Sequence, residues 1–544
     1  MVLKNYMNVI LLLVGLIFAN KEVSNFKFEQ GKIIFELEQI HEKTEDGYLK
    51  LPIKQSSSSD IGYPEIPSYS SLYLVDPSAN YSFDVVVHDS YTIDDVVIYP
   101  HQGPNSAEKL TKNEIFYNSN NTYPESLISV SDRKKARNME LVSIIVYPYS
   151  YNTGTKELEV FTNLEIIATK ESYRESSNNA EMKRSRLFEQ LYSDMIINFE
   201  ESSREEDYQH PSILYICGGN SCENSYAQQL FQWRHEQGYI VYTATESEVG
   251  GNNASASEIK NFIEDAVESW DNPPEMVGLI GDTEGSYDLP CNFHDWGGGG
   301  WYGGYNGSSD FDYTQLDGND LLADVLIGRI SAENSSDLAN IINKTIQYEK
   351  GIYQSESWFE GAALVGDPSD SGVSTIITNQ YIENILGIYG FENISTNYGQ
   401  GNYDDWVEDR FDEGILYYNY RGFYGSSGIN SSGFNNGFET PFVTSLTCGT
   451  GGFDGNADSE NFVRAGSVTQ PKGAVAAVGV ATSGTHTAYN NIVDMGIYEG
   501  IFSKSLEYSS AVTTSGHLAL FNTYPSNPAN ITETFISWTN LIGD

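Results

Sequence analysis

From Ser212 onward the chain alternates short apolar runs with helical stretches, and this alternation constrains the fold more than any other feature. The runs are Ser212–Cys217, Tyr239–Thr243, Met276–Ile280, Ala362–Val365, Ile415–Tyr420, Phe442–Thr447 and Ala474–Val480. Helical patterns at Ser225–Gln237, Ser257–Trp270, Ser336–Lys350, Thr375–Leu386 and Asp404–Phe411 fall between most of them. Short continuous apolar runs separated by helices predict strands buried on both faces, hence a mainly parallel sheet in an α/β domain. In open parallel sheets ligands bind beyond the carboxyl ends of the strands. At those ends stand Gly281-Asp282, Gly366-Asp367, Arg421-Gly422-Phe423, Cys448 and the loop Thr482–His486.

The preceding part reads differently. Over residues 20–170, Tyr81–Tyr99 alternates apolar and polar positions, and Leu141–Tyr147 and Glu157–Thr169 flank Asn152-Thr153-Gly154. Period-two patterning around such a turn predicts a hairpin, and the region as a whole an all-β sandwich. Residues 171–210 are polar and read as a linker, with a short amphipathic patch at Leu187–Ile197. The linker holds Lys183-Arg184-Ser185-Arg186, a basic cluster that fits either a maturation cleavage site or a solvated stretch. Residues 1–19 read as a secretory signal peptide, with Lys4 ahead of the apolar run Val9–Phe18 and Ala19 after it. That run is short for a membrane span, and no later stretch approaches the length needed, so the mature chain is expected to carry none. Export is the corollary, with a secreted or cell-surface location.

The 75 acidic residues outnumber the 30 basic ones, for a net charge of −45, which disfavours nucleic acid and anionic membranes as partners. Four cysteines, Cys217, Cys222, Cys291 and Cys448, are too few for a disulfide scaffold in so long a chain. Cys217 and Cys222 form the natural pair if any bridge exists. No CxxC or HExxH pattern occurs, so a zinc site is not expected.

Cys448 follows the run PFVTSLT and precedes GTGGF. A thiol at a strand end that enters a glycine-rich turn has backbone N–H donors around it, including those of Gly422 and Gly449, suited to holding an oxyanion. The alternative is a buried structural cysteine. Asp310, Asp312, Asp317, Asp320 and Asp324 crowd into SDFDYTQLDGNDLLAD, a spacing that suits structural Ca²⁺ or simply a solvated acidic loop. No cofactor is expected for catalysis.

ETPFVTSLTCGTGGF resembles the nucleophile segment of the gingipain-like cysteine peptidases. ILYYNYRG resembles the strand that delivers that family's catalytic histidine, and QLDGNDLLADVLIGRISAENSSDLANIINKTIQYEK (315–350) resembles the end of its first subdomain. LFQWRHEQGYIVYTA and MVGLIGD fit as well, and the β-rich region before residue 200 resembles the family's pro-domain. The resemblance implies a caspase-like α/β catalytic domain in two subdomains, 211–352 and 353–544, made as a zymogen behind an all-β pro-domain at 20–170. It also implies structural calcium, and a continuation beyond LIGD, so that Asp544 is expected to be an artificial end. It implies a catalytic histidine at Gly-His-Gly, where this chain reads Gly422-Phe423-Tyr424-Gly425. Phe423 cannot accept a proton, and a phenol such as Tyr424, with an ordinary pKa near 10, is a poor base at neutrality.

Of the eight histidines only His486 sits at a strand end beside the Cys448 strand. It is the candidate base, or else a surface-loop residue. Asp367 stands where the family places an acid that orients the histidine, or is a plain turn aspartate. Arg-specific relatives carry an acid near the position of Thr375, so a substrate pocket with a neutral hydroxyl is not expected to favour Arg or Lys. Three functions fit these residues: a cysteine endopeptidase acting on protein or peptide substrates, a catalytically inactive peptidase-fold binding protein, and a structural or adhesive surface protein.

Overall fold

Period-two alternation builds sheets in the first part of the chain. The computed structural model describes residues 22–544 apart from 24, 38–42, 46, 54, 58–59, 103–109, 175–181, 252, 296–305, 319, 352–355, 400–401 and 483. Residues 1–19, read above as a signal peptide, lie outside the described residues, as does the glycine-rich stretch 296–305. Two units form: Met1–Arg133, Glu140–Asn178 and Tyr192–Glu201 make the first, and Lys134–Met139, Asn179–Leu191 and Ser202–Asp544 make the second.

The first unit holds antiparallel sheets that bury apolar side chains between them. Ala79–Ile93 pairs along Glu157–Tyr173, with Leu164 opposite Val87. Phe35 of one sheet packs edge-on against Tyr69 of the other, ring centroids 5.2 Å apart. Phe26, Ile144, Tyr149 and Leu164 complete the core, each large apolar side chain contributing about 1.5–3 kcal/mol of burial. The turn at Asn152-Thr153-Gly154 does close a hairpin, but Leu141–Tyr147 is not its first arm. Tyr149–Asn152 pairs with Glu157–Tyr173, while Met139–Val146 pairs with Pro67–Leu74 in the other sheet. Pro148 between them lacks an N–H, which interrupts the strand and lets the chain change sheets.

In the second unit the strands are β1 Ser212–Cys217, β2 Ile240–Thr245, β3 Met276–Ile280, β4 Leu326–Ile330, β5 Gly361–Gly366, β6 Asn393–Asn397, β7 Tyr417–Arg421, β8 Phe442–Ser445, β9 Ala476–Val480 and β10 Thr539–Ile542. They form one ten-stranded sheet in the order β2-β1-β3-β4-β10-β9-β8-β7-β5-β6. The neighbours β7, β8 and β9 run parallel, with Tyr420 opposite Ser445 and Ser445 opposite Gly479. β10 runs antiparallel to β9. The helices include α1 Ser225–Glu236, α2 Ala256–Ser269, α3 Ser335–Glu349, α4 Ser374–Ile388, α5 Asp404–Glu413, α6 Asp458–Arg464, α7 Thr487–Phe502 and α8 Ser509–Thr523. Ile259 and Ile263 of α2 pack on Leu214, Ile216 and Leu279. On the other side of the sheet order, Ile382 and Leu386 of α4 pack on Ala362 and Leu364. No helix among the described residues is long and apolar enough to cross a membrane.

Much of the predicted linker is ordered. Arg186–Tyr192 is a helix that buries Phe188, Leu191 and Tyr192, the apolar face of the patch noted in the sequence. The basic cluster lies beside it. Arg184 pairs with Glu189, its N–H donates to the Asp207 carbonyl and its own carbonyl accepts from Gln209. Ser185 is fully buried, and Arg186 pairs with Glu205 while lying 3.9 Å from the Tyr208 ring centroid. Within Lys183-Arg184-Ser185-Arg186, Ser185 is buried and Arg184 half-buried, while Lys183 and Arg186 are exposed.

α8 buries His517 against Phe311, ring centroids 5.5 Å apart. Burial pulls its pKa from 6.5 down to about 4. The unfolded chain thus takes up this proton near pH 6.5, and the folded chain only near 4. The stability gained by keeping His517 neutral is complete above pH 6.5 and is lost as pH falls through that window, about 3 kcal/mol in all. Denaturant unfolding of wild type and His517→Phe at pH 7 and pH 4.5 is expected to show the wild type losing about 2–3 kcal/mol relative to the variant. An unchanged difference between the two pH values would contradict this.

Candidate active site

β8 ends beside β7 and β9, and the chain then turns at Thr447-Cys448-Gly449. Gly449 has φ +78°, a backbone state that favours glycine. A Cβ at Gly451 would lie 2.3 Å from the Gly479 carbonyl carbon, so only glycine lets this loop lie against β9. Tyr424 bridges to Cys448, and the Gly425 N–H donates to the Cys448 carbonyl at 2.9 Å. Phe423 and Tyr424 are 50% and 63% exposed, and Cys448, which Tyr424 bridges to, is 7% exposed.

The Cys448 Sγ lies 3.0 Å from the Thr485 Oγ1. Asn490 Nδ2 donates to that same oxygen at 2.9 Å, so the one hydroxyl proton of Thr485 is available to the sulfur. Of the other cysteines, Cys217 and Cys222 are joined in a disulfide. Cys291 is the second free thiol, and burial pushes its pKa up to about 12, which leaves it inert.

His486, next to Thr485, caps α7: its Nδ1 accepts the Ala488 N–H at 3.1 Å. A neutral imidazole that accepts at Nδ1 carries its proton on Nε2. Burial holds its pKa below the usual value. In this arrangement the ring is a helix cap, and the nitrogen a base would use is occupied. Asp367 is buried. Its Oδ1 accepts from the Ser369 N–H and its Oδ2 from the Ser427 hydroxyl, both at 2.9 Å. Tyr420 hydrogen-bonds to the same Ser427 at 2.6 Å.

The remaining sequence candidates fall in less open places. The Gly422 N–H donates to Thr447 Oγ1 at 3.3 Å and the Gly449 N–H to the Thr482 carbonyl at 2.9 Å, so both expected oxyanion donors already have partners. Thr375 is fully buried in the first turn of α4, its hydroxyl on the carbonyls of Asp367 and Gly372. It lines no substrate pocket here, because a hydroxyl near a helix start finds backbone partners.

The five acidic residues do not converge on one cation. Both oxygens of Asp310 accept from Arg329, and Asp312 is on His294. Asp317 pairs with Lys135, and Asp320 accepts the N–H groups of Lys135 and Leu322. Asp324 accepts those of Arg137, Leu316 and Asp317. Among the described residues no group of His, Cys, Asp and Glu side chains is arranged to hold a metal ion. Residues Lys134–Met139, although early in the chain, therefore fold with the second unit through backbone donors to Asp320 and Asp324 and the ion pair to Asp317.

The strand-end rule brings the loop Thr482–His486 to the site, but it does not single out Thr485, whose hydroxyl is the side chain on Cys448.

Residues 206–544 match peptidase family C25, and residues 24–206 match the C25 propeptide. Gingipain R2 of Porphyromonas gingivalis is 26% identical over 492 residues, which is 86% of this chain and 64% of that protein. Lys-gingipain of the same organism is 24% identical over 362 residues, 61% of this chain and 19% of its own length. The chain thus spans less than two thirds of the length of these curated relatives. The crystal structure of the Arg-specific cysteine proteinase gingipain R superposes with a TM-score of 0.54 at 24% identity, covering 64% of this chain and 79% of that one. The complex of Porphyromonas gingivalis RgpB pro- and mature domains gives a TM-score of 0.52 at 24% identity, over 61% and 78%. These likenesses establish the caspase-like α/β fold behind a β-rich propeptide. The chain belongs to peptidase family C25 and carries that family's propeptide ahead of its catalytic domain.

Proposed function

We propose that this chain is the zymogen of a secreted or cell-surface cysteine endopeptidase with Cys448 as nucleophile. The observation that supports it best is the placement of Cys448 just past the carboxyl end of β8, between β7 and β9, with the exposed Tyr424 bridged to it. Sulfur attacks the peptide carbonyl carbon, the C–N bond breaks, and the amine leaves with a proton. Water then cleaves the thioester and regenerates the thiol. Phe423 and Tyr424 offer apolar surface to a substrate side chain. Export is supported by the signal-like stretch at 1–19 and by the Cys217–Cys222 disulfide, a bond favoured in oxidising compartments.

A second function, a peptidase-fold binding protein without activity, is favoured by the occupied Nδ1 of His486 and the occupied N–H groups of Gly422 and Gly449. Incubation of the processed protein with casein decides between them. The peptidase predicts fragments that disappear after iodoacetamide treatment. Intact casein at every pH between 5 and 9, with folded protein, would favour the binding protein.

A further inference from the structure

We infer that Glu460 is a positioning residue for the loop after Cys448, and that it holds this loop with a proton on its own carboxyl group, donated to Ser331. The bearing on hydrolysis rests on the reading of Cys448 as nucleophile.

The loop from Cys448 to α6 is fixed on both sides of an exposed tip. Thr450 accepts the Ser459 N–H at its carbonyl, 2.9 Å, and the Val480 N–H at its hydroxyl, 3.1 Å. Phe453 donates its N–H to Ser308 Oγ at 3.0 Å, and its carbonyl accepts from the Thr283 hydroxyl. Asp454, Gly455 and Asn456 are exposed. Ala457 then donates its N–H to Glu460 Oε2 at 3.1 Å. Glu460 lies in the first turn of α6 and is fully buried. Its carboxyl group thus secures the far end of the tip.

The other carboxyl oxygen, Oε1, meets Ser331 Oγ, and Arg464 Nη2 at 2.9 Å. Ser331, just past β4, also brings its Oγ to Asp282 Oδ1 at 3.2 Å. Arg464 Nη2 reaches Ser331 Oγ and Asp282 Oδ2, both at 2.8 Å. Nη2 carries two hydrogens and the Ser331 hydroxyl one, fewer than the contacts they face. Ser331 has a single proton for two carboxyl oxygens. Asp282 is its acceptor, since Asp282 also takes the Thr283 N–H at 2.7 Å and the guanidinium. The contact between Ser331 Oγ and Glu460 Oε1 then sets lone pairs against each other unless Glu460 supplies the hydrogen. With that proton in place, Glu460 donates to Ser331 Oγ and Ser331 donates to Asp282 Oδ1. Nη2 donates to Asp282 Oδ2 and Ser331 Oγ.

The charges nearby lead to the same assignment. Glu460, Asp282 and Glu333 share Arg464, whose Nη1 is 2.7 Å from Glu333. α3 adds Asp337 and, toward the far end of α6, Lys344, whose Nζ is spent on the carbonyls of Val463 and Ala465 at 2.6 and 3.2 Å. β9 and β10, which also pack on α6, carry no titratable side chain. Tyr418 of β7 lies against Phe462 of α6, and burial keeps its phenol neutral. Three carboxyl groups around one guanidinium do not all ionise in a buried place without cost. Burial, with Asp282 beside it, holds the Glu460 carboxyl well above the usual carboxylate range, while Arg464 works against this. The closed loop therefore keeps a proton that the opened loop, with an ordinary value near 4.5, gives up. The hold is complete below that value and is lost as pH rises toward neutrality, about tenfold in the opening equilibrium per pH unit.

The test is amide hydrogen exchange of the folded full chain at pH 5 and pH 7.5, read over residues 449–464 as protection relative to the intrinsic rate at each pH. Peptides from α2 in the same digest are the reference. Wild-type protection over 449–464 is expected to fall at least about tenfold from pH 5 to pH 7.5 while α2 stays level. Glu460→Gln, which has no proton to lose, is expected to show no fall. Glu460→Ala is expected to be at least about tenfold less protected than wild type at pH 5. Equal wild-type protection at the two pH values, or the same fall in Glu460→Gln, would overturn the inference. If Glu460→Gln does not fold, Glu460→Met takes its place. If neither folds, the wild type decides: a fall at 449–464 that α2 does not share supports the inference, and a shared fall or none overturns it. A fall confined to wild type in a protein that leaves casein intact keeps this inference and removes the nucleophile assignment. Casein hydrolysis with level protection removes this inference and leaves the peptidase standing.

Discussion

Cys448→Ala is expected to lower peptide hydrolysis by at least about 10³-fold, since the attacking atom is gone and what remains is binding and backbone polarisation. The fold should survive. The change removes one sulfur from a site at the edge of the sheet, where its noted partner is the Thr485 hydroxyl, and the stability cost should be about 1 kcal/mol. Kinetics and thermal unfolding on the same preparation separate the two effects. A variant that keeps a tenth of the activity would show that another group does the chemistry.

The largest stability effect is expected at Arg329. This residue of β4 is fully buried, and its guanidinium donates to both oxygens of Asp310 at 2.7 Å. It also donates to the carbonyls of Gly281, Leu289 and Pro290, and it lies 4.8 Å from the ring centroid of Phe453. Phe453 belongs to the loop that follows Cys448, and the Thr283 hydroxyl and Ser308 hydroxyl hold its backbone. Arg329→Met leaves the Asp310 carboxylate buried without its counter-charge and three carbonyls without donors, and should cost about 3–5 kcal/mol. Because Arg329 supports the loop after Cys448, hydrolysis by the proposed peptidase should fall as well. The double variant Arg329→Met/Asp310→Leu is expected to recover part of the stability, because the stranded charge is then gone. A single variant within 1 kcal/mol of wild type would contradict the role given to this pair.

The alternation of apolar runs and helices was enough to place Cys448 beyond the carboxyl end of β8, because parallel strands of similar length leave little freedom in where their carboxyl ends emerge. Leu141–Tyr147 was assigned the wrong partner because one proline outweighed a turn signal: Pro148 sends the chain into the other sheet before the hairpin begins. The finer features of the site depend on contacts between residues far apart in sequence. Spacing cannot show that Thr485 turns its hydroxyl to Cys448, or that the next residue spends its imidazole on the Ala488 N–H. Nor can it show that Gly422 and Gly449 are already bonded, since Thr447 and Thr482 reach them only once the strands are side by side. The acidic run fits a calcium site or a solvated loop by its spacing, and Arg329, His294 and the Lys134–Met139 segment divide it among separate partners.

The central claim is that Cys448 forms a covalent bond with substrate. Acid quenching of the processed protein within milliseconds of mixing with a chromogenic peptide ester, followed by peptide mapping, tests it directly. The account predicts an acyl adduct on the peptide that carries Cys448, none on Cys291, and none anywhere in Cys448→Ala. Turnover of the ester without an adduct, continuing undiminished in Cys448→Ala, would contradict it.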